Sequence, residues 1–193
     1  MLWKTRLRWR YGRGIIIVND CILFMHYITL QNWFVFERPA AYRSYGKLRV
    51  ICDACCRVPE YRQNIPRHRA RGKSACGYVF VDCDGKIISQ KAKYLGDLTV
   101  AEAEYQALIF GLNNVAGFCR QEVEVWTDNE IAVGQLNGYY CLRSERIKPL
   151  FDEVKKLEMR FKKVTYFHHS RGSFWARQAD KMANDEYSRL QKG

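Results

Sequence analysis

The residues of this chain best suited to chemistry are acids at the junctions of predicted elements, because carboxylate oxygens are the ligands that hard divalent cations prefer. The clearest is Asp128. Val123-Glu124-Val125-Trp126-Thr127 alternates apolar and polar residues and runs into Asp128-Asn129-Glu130, and helical spacing then continues from Ile131 to Gly138. The pattern predicts a buried strand ending at Asp128 with a helix starting beside it. In open α/β sheets, ligands sit outside such strand ends. Aspartate is also a good helix N-cap, so a single acid there does not define a site. The question is whether other acids reach comparable places.

The elements that would position them can be read in order. Leu48-Arg49-Val50-Ile51-Cys52-Asp53 alternates like a strand and ends on an acid. Residues 57–74 follow as an exposed, mobile loop carrying Pro59, Pro66, Gly72 and the run Arg67-His68-Arg69-Ala70-Arg71-Gly72-Lys73. Gly77–Asp82 and Lys86–Ser89 flank Cys83-Asp84-Gly85, a strong hairpin signal. Thr99-Val100-Ala101-Glu102 is a capping box opening a helix whose apolar face is Tyr105, Leu108, Ile109, Leu112 and Val115. Ser144-Glu145-Arg146-Ile147 reads as another capped start, Val164–His168 as a strand, and Phe174–Leu190 as a last helix. Three strands in a meander, then strands alternating with helices, imply a mixed sheet flanked by helices.

Each acid has a structural reading beside the chemical one. Asp53 could terminate a strand, Glu104 and Asp180 could face solvent on charged helices, and Asp128 could cap one. Glu102 is explained by its capping box, Asp82 and Asp84 by their hairpin, and Glu130 by a helix's first turn.

Charge narrows the partner. The chain has 193 residues and a formal net charge of +12. Residues 1–47 carry eight Lys/Arg against two Asp/Glu, and residues 54–75 carry six against one. The remainder is nearly neutral, with eighteen against seventeen. A basic excess confined to two segments fits an electrostatic grip on nucleic acid rather than general solubilisation. A hydrophobic fraction of 48% supports a real core and excludes global disorder.

The eight cysteines are too sparse for a disulfide scaffold and imply reduced, mostly buried thiols in an intracellular, cytoplasmic protein. Cys52-x-x-Cys55 with its neighbours matches no common zinc spacing. Residues 1–13 are basic without an acid, and residues 14–36 are mostly apolar. A membrane anchor, an organellar transit segment and a strand pair turning at Asn19-Asp20 all compete for this region. Its β-branched and aromatic content favours the strand pair, and Asp20 argues against insertion in a membrane. Residues 1–47 are therefore read as an extension, and residues 48–193 as the folded domain.

Four segments together resemble the ribonuclease H family. Ile51-Cys52-Asp53-Ala54 is similar to its first acidic strand, and Ala103-Glu104-Tyr105-Gln106-Ala107-Leu108 to its Ala-Glu-Tyr helix. Trp126-Thr127-Asp128-Asn129 with Gln135-Leu136-Asn137-Gly138 is similar to the third acidic segment, and Gln178-Ala179-Asp180-Lys181-Met182-Ala183-Asn184 to the C-terminal helix. The resemblance covers residues 48–190 in family order and is nearest the short, type 1-like form of archaea, bacteria and plants. It implies an α/β ribonuclease H-like fold, a mixed five-stranded sheet flanked by helices. It also implies that Asp53, Glu104, Asp128 and Asp180 converge on two Mg²⁺ ions, for which Mn²⁺ can substitute. Asp53 would bridge both ions, Glu104 and Asp128 would hold one, and Asp180 would complete the other shell.

The implied activity is endonucleolytic hydrolysis of the RNA strand of RNA–DNA hybrids by a monomer with no stable membrane partner. His169 is the candidate assistant to leaving-group protonation, while His168 ends its strand. Asn129 and Gln135 are candidate readers of 2′-hydroxyls, which distinguish RNA from DNA. Arg67, Arg69, Arg71, Lys73 and Arg171 are candidate phosphate contacts. The chain departs from the family after Asp53, where a Gly-rich turn is usual and Ala54-Cys55-Cys56 leads into the arginine-rich insertion. That departure keeps two alternatives open: a non-catalytic nucleic-acid-binding scaffold, and a related nuclease acting on another duplex.

Overall fold

A computed structural model describes residues 8–11, 14–17, 45–60, 64–66, 68–170 and 172–191. The chain divides into two units, Met1–Pro39 and Ala40–Gly193. In the first, β1 (Arg8–Tyr11) and β2 (Gly14–Ile17) pair antiparallel, with Arg8 opposite Ile17 and Tyr11 opposite Gly14. The turn expected at Asn19-Asp20 lies outside the described residues. Among the described residues, no helix is long and apolar enough to cross a membrane.

The second unit is built on β3 (Tyr45–Arg57), β4 (Gly72–Val81), β5 (Ile87–Leu98), β6 (Cys119–Thr127) and β7 (Lys163–His168), hydrogen-bonded in the order β5-β4-β3-β6-β7. β3, β4 and β5 form the antiparallel meander, and β6 and β7 join β3 in parallel, so the sheet is mixed and five-stranded as expected. Its turn at Gly85 has φ +80, and Asp82 Oδ1 accepts from the N–H groups of Asp84 and Lys86 at 3.1 and 2.8 Å. Parallel neighbours need crossover connections, and α1 (Val100–Val115) supplies the one from the meander to β6. α2 (Glu130–Leu136), α3 (Lys148–Glu158) and α4 (Phe174–Gln191) complete the unit.

Alternation along the central strands sorts the core into two layers. Leu48, Val50 and Cys52 of β3 and Val123 and Val125 of β6 are buried with Leu108, Leu112 and Val115 of α1. On the opposite side Ile51, Val79 and Val81 pack with Ala179 of α4, flanked by Trp126 and Trp175. Two glycines set how closely the helices approach. A Cβ at Gly111 would lie 2.5 Å from Cys52 Sγ and 2.9 Å from Val50 Cγ1, so α1 rests directly on β3 there. A Cβ at Gly77 would lie 2.7 Å from Met182 Cβ and 2.8 Å from Ala179 O. Gly77 is the residue opposite Asp53 in the β3–β4 ladder, so α4 lies directly against the sheet at the level of that acid.

The structure corrects several boundaries. β3 does not end at Asp53; it runs on through Cys56 and Arg57, which pair with Ser74 and Lys73 of β4. The Cys-Cys-Arg tail has no apolar alternation, so its ladder partners alone reveal it as strand. β5 extends to Leu98 rather than Ser89, because its exposed positions, Lys91 and Lys93 among them, dilute the apolar pattern. Ser144 does not cap a helix: its carbonyl accepts from the N–H groups of Ile147 and Lys148, and α3 begins at Lys148 with a proline in its first turn. The end of the insertion is not a solvated loop, since Ala70, Gly72 and Ser74 are buried.

If Gly77 is what seats α4, Gly77→Ala should force the helix away from the sheet and lower unfolding stability by about 1–3 kcal/mol, as overpacking typically does. Urea denaturation measures this, and a change within a few tenths of a kcal/mol would show that α4 is seated by other contacts.

Candidate active site

Parallel pairing brings two of the acids together. Ile51 of β3 lies opposite Trp126 of β6, and Asp53 and Asp128 each follow two residues later. β6 stops at Thr127 while β3 continues, so Asp128 emerges at the sheet's end beside Asp53. Asp128 does not cap the following helix. Asn129 is the N-cap of α2, its Oδ1 accepting from Ala132 N–H at 3.0 Å. The third acid comes from α1. Glu104 is two turns before Gly111, on the face that rests against β3, and is buried to 7% exposure.

One ligand oxygen from each of Asp53, Glu104 and Asp128 lies within 4.8 Å of the other two. Three carboxylates this close, all hard oxygen donors, fit a divalent cation of the Mg²⁺ or Mn²⁺ type by their chemistry. Asp180 is more exposed and lies outside that trio, but it lines the same cavity of about 310 Å³. Its carboxylate Oδ1 accepts from Asn184 Nδ2 at 2.7 Å. Cys55, Cys56, Arg57, Arg177 and Asn184 also line the cavity.

His169 is brought in by the backbone, its N–H donating to Thr127 O at 3.1 Å across the ends of β7 and β6. Its Nδ1 is 3.2 Å from Ser170 O, and a carbonyl only accepts, so Nδ1 carries the hydrogen. Nε2 is buried and has no hydrogen-bond partner among the described residues. His168 ends β7 and is exposed.

The basic candidates separate. Arg71 turns to the protein: Nε and Nη2 donate to Asp97 O at 3.2 and 2.6 Å, and Nη1 is 3.6 Å from Glu102 Oε1. Arg69 lines a second cavity of about 410 Å³ together with Thr99, Asn129, Gln135 and Arg146. There Gln135 Oε1 accepts from Tyr105 O–H at 2.8 Å. Arg146 Nη1 donates to His68 O, linking the insertion to the turn before α3. Lys73 is exposed on β4, and Arg67 and Arg171 lie outside the described residues. No sequence motif singles out Arg57, Arg146 or Arg177. Their only early sign was their neighbourhood, Arg57 four residues after Asp53 and Arg177 three before Asp180.

The cysteines play no part in an ion site among the described residues. Burial pushes the Cys52 thiol well above its ordinary range, with Cys76, Asp53 and Glu104 adding to the effect, and burial raises Cys76 to about 12. Such thiols stay protonated and inert.

A five-stranded mixed sheet with three clustered acids at the β3–β6 end is the ribonuclease H-like arrangement. A family profile described as reverse transcriptase-like matches residues 67–186, and the chain belongs to that family. The chain is 28% identical over 114 residues to ribonuclease HI of Halobacterium salinarum, an alignment spanning 59% of this chain and 56% of the relative. Over 117 residues it is 25% identical to the bifunctional protein Rv2228c of Mycobacterium tuberculosis, spanning 59% of this chain and 31% of that protein. The chain thus matches about half or less of the length of these curated relatives. The solved ribonuclease H1 of H. salinarum superposes with a TM-score of 0.65 at 25% identity, covering 74% of this chain and 98% of that one. LC11 ribonuclease H1, solved in complex with an RNA/DNA hybrid, superposes with a TM-score of 0.61 at 26% identity, covering 72% and 94%.

Arg71 and the α1 cap make one pH-sensitive unit. Burial opposes ionisation of Glu102, but the Thr99 N–H and hydroxyl, at 2.8 and 2.7 Å, and the Arg71 and Arg146 guanidinium groups hold its carboxyl below the ordinary value of 4.5. A carboxyl whose folded pKa is depressed stabilises the protein above its unfolded pKa and loses that contribution as pH falls through the folded one. Glu102→Gln should therefore be destabilised by about 0.5–2 kcal/mol at pH 7, the range for a lost cap, and the deficit should shrink as the pH falls below about 4.5. Thermal melts of both proteins between pH 7 and 3 measure it, and a deficit independent of pH would remove the ionised capping pair from the account.

Proposed function

We propose that this protein is a metal-dependent endoribonuclease that hydrolyses the RNA strand of RNA–DNA hybrids, with residues 48–193 as its catalytic domain. The observation that carries the reading is the approach of Asp53, Glu104 and Asp128 oxygens to within 4.8 Å of one another at the wall of an open cavity. Two Mg²⁺ ions, or Mn²⁺ in their place, supply an activated water and neutralise charge on the attacking and leaving oxygens when bound. Asp53, which continues on β3 past the end of β6, would contribute to holding both ions. Glu104 and Asp128 would hold one, and Asp180, which lines the same cavity, would contribute to the other. His169, which lines the same cavity, would assist protonation of the leaving oxygen through Nε2. Hydrolysis in this sense leaves 5′-phosphate and 3′-hydroxyl ends.

Substrate choice draws on the neighbouring cavity. Asn129 spends its Oδ1 on the α2 cap and Gln135 its Oε1 on Tyr105, which leaves each an amide nitrogen as donor. Donors held that way suit the oxygens of consecutive 2′-hydroxyls in a wide minor groove. Arg69 beside them, and Lys73 on β4, give the insertion cationic groups for backbone phosphates.

Purified protein with Mg²⁺ or Mn²⁺ should cut the RNA of a hybrid, and Asp128→Asn should lower kcat by at least about 10²-fold, as loss of a principal electrostatic group does. Divalent cation should raise the melting temperature of the wild type and raise that of Asp128→Asn far less, because the cation relieves repulsion among the acids. Side-by-side assays on hybrid, double-stranded RNA and double-stranded DNA decide the substrate. Binding without cleavage in either metal would instead make the protein a nucleic-acid-binding scaffold.

A further inference from the structure

The cavity contains a side-chain relay that the proposed chemistry has not used. Arg57 Nη2 donates to Asn184 Oδ1 at 2.9 Å. Asn184 Nδ2 donates in turn to Asp180 Oδ1 at 2.7 Å and to Asp180 O at 2.9 Å. All three residues line the cavity that holds Asp53, Glu104 and Asp128.

The chemistry of the three groups allows one arrangement. A guanidinium only donates and a carboxylate only accepts, so the carboxamide between them must turn its oxygen to Arg57 and its nitrogen to Asp180. Asn184 is four residues after Asp180 on α4 and therefore shares its face. Arg57 is fixed from the other side. It is the last residue of β3, paired with Lys73, and Gly72 packs against its carbonyl so closely that no Cβ fits. Cys55, two residues earlier, closes the same seam with an S–H to Ala183 O contact of 3.4 Å. The relay thus ties the tail of the strand that carries Asp53 to the helix that carries Asp180. This is where the chain lacks the family's glycine-rich turn and has Ala-Cys-Cys-Arg instead.

An arginine placed directly on Asp180 would neutralise it and compete with a cation. A carboxamide between them transmits position without forming an ion pair. We propose that Arg57 is a positioning residue that acts through Asn184 to hold Asp180 at the cavity wall, with one oxygen tied and the other left for a cation. This inference rests on the reading of the acids as a cation site.

The test uses the full chain as wild type, Arg57→Gln, Asn184→Ala and the double variant. Calorimetric titration with Mn²⁺ and steady-state cleavage of an RNA–DNA hybrid are read for each. Each single variant should weaken Mn²⁺ binding and lower kcat by roughly 10-fold, the lower range for groups that orient ligands, with KM within about twofold of wild type. The double variant should be no worse than the worse single one, because both changes break one path. Effects that multiply, or a raised KM with kcat unchanged, would overturn the proposal; the latter would make Arg57 a direct contact to nucleic acid. Variants that bind Mn²⁺ and cleave as wild type does would also overturn it while leaving the proposed activity intact. A wild type that neither binds Mn²⁺ nor cleaves would instead overturn the activity on which it rests.

Discussion

The cavity depends on β3 and β6 lying parallel and in register, Ile51 against Trp126, because that pairing sets Asp53 and Asp128 side by side at one end of the sheet. The arrangement is electrostatically unfavourable. Two unit charges about 5 Å apart repel by roughly 3 kcal/mol at an effective dielectric near 20, and a third acid adds further pairs. Set against the roughly 5–15 kcal/mol of net stability usual for a domain, that is a large fraction. Their mutual repulsion opposes the cluster, so contacts elsewhere have to hold it together. The buried strands β3, β4 and β6, packed by α1 on one face and α4 on the other, do so with apolar contacts that involve no acid. A fold stabilised elsewhere is what lets three carboxylates converge.

The helices bring their acids by close contact at glycines. Gly111 lets α1 rest on Cys52 and Val50, and Gly77 lets α4 reach the ladder position opposite Asp53. Glu104 and Asp180 are thus held by packing at points a few residues from themselves. The difference between them follows from position. Glu104 lies on the buried face of α1 and joins the tight trio, whereas Asp180 is exposed on α4 and reaches the cavity from the rim. The fourth acid needs hydrogen bonds for its orientation, and those to Asn184 supply them.

How much of this was legible in the sequence depended on whether the signal was local. Alternation in Val123–Thr127, the Asp-Gly turn and the Thr99–Glu102 box are set by neighbours along the chain, and all three appear in the structure. The continuation of β3 through Cys55, Cys56 and Arg57 was not legible, because its strand character comes from β4 across the ladder. Asn129 rather than Asp128 caps α2, a choice between adjacent good capping residues that propensity could not make. Arg71 looked like one member of a solvated basic run. Its commitment to Asp97 O and Glu102 depends on a fold that brings the insertion's end against the start of α1.

That last contact changes what the insertion means for the site. Its basic charge suggested a flexible arm beside Asp53, yet its described end is anchored. Arg71 braces the α1 cap, Arg146 holds the carbonyl of His68, and Ala70 is buried. The anchored segment stands over the cavity formed with Asn129 and Gln135, on the α1–α2 side of the acids, and Arg57 at its other end turns toward α4. One insertion therefore touches the site from both sides. Its first residue links the strand of Asp53 to the helix of Asp180, and its last residues link the helix of Glu104 to the groove beside Asp128. Replacing a short glycine turn with this segment exchanges a close backbone approach for side-chain bracing.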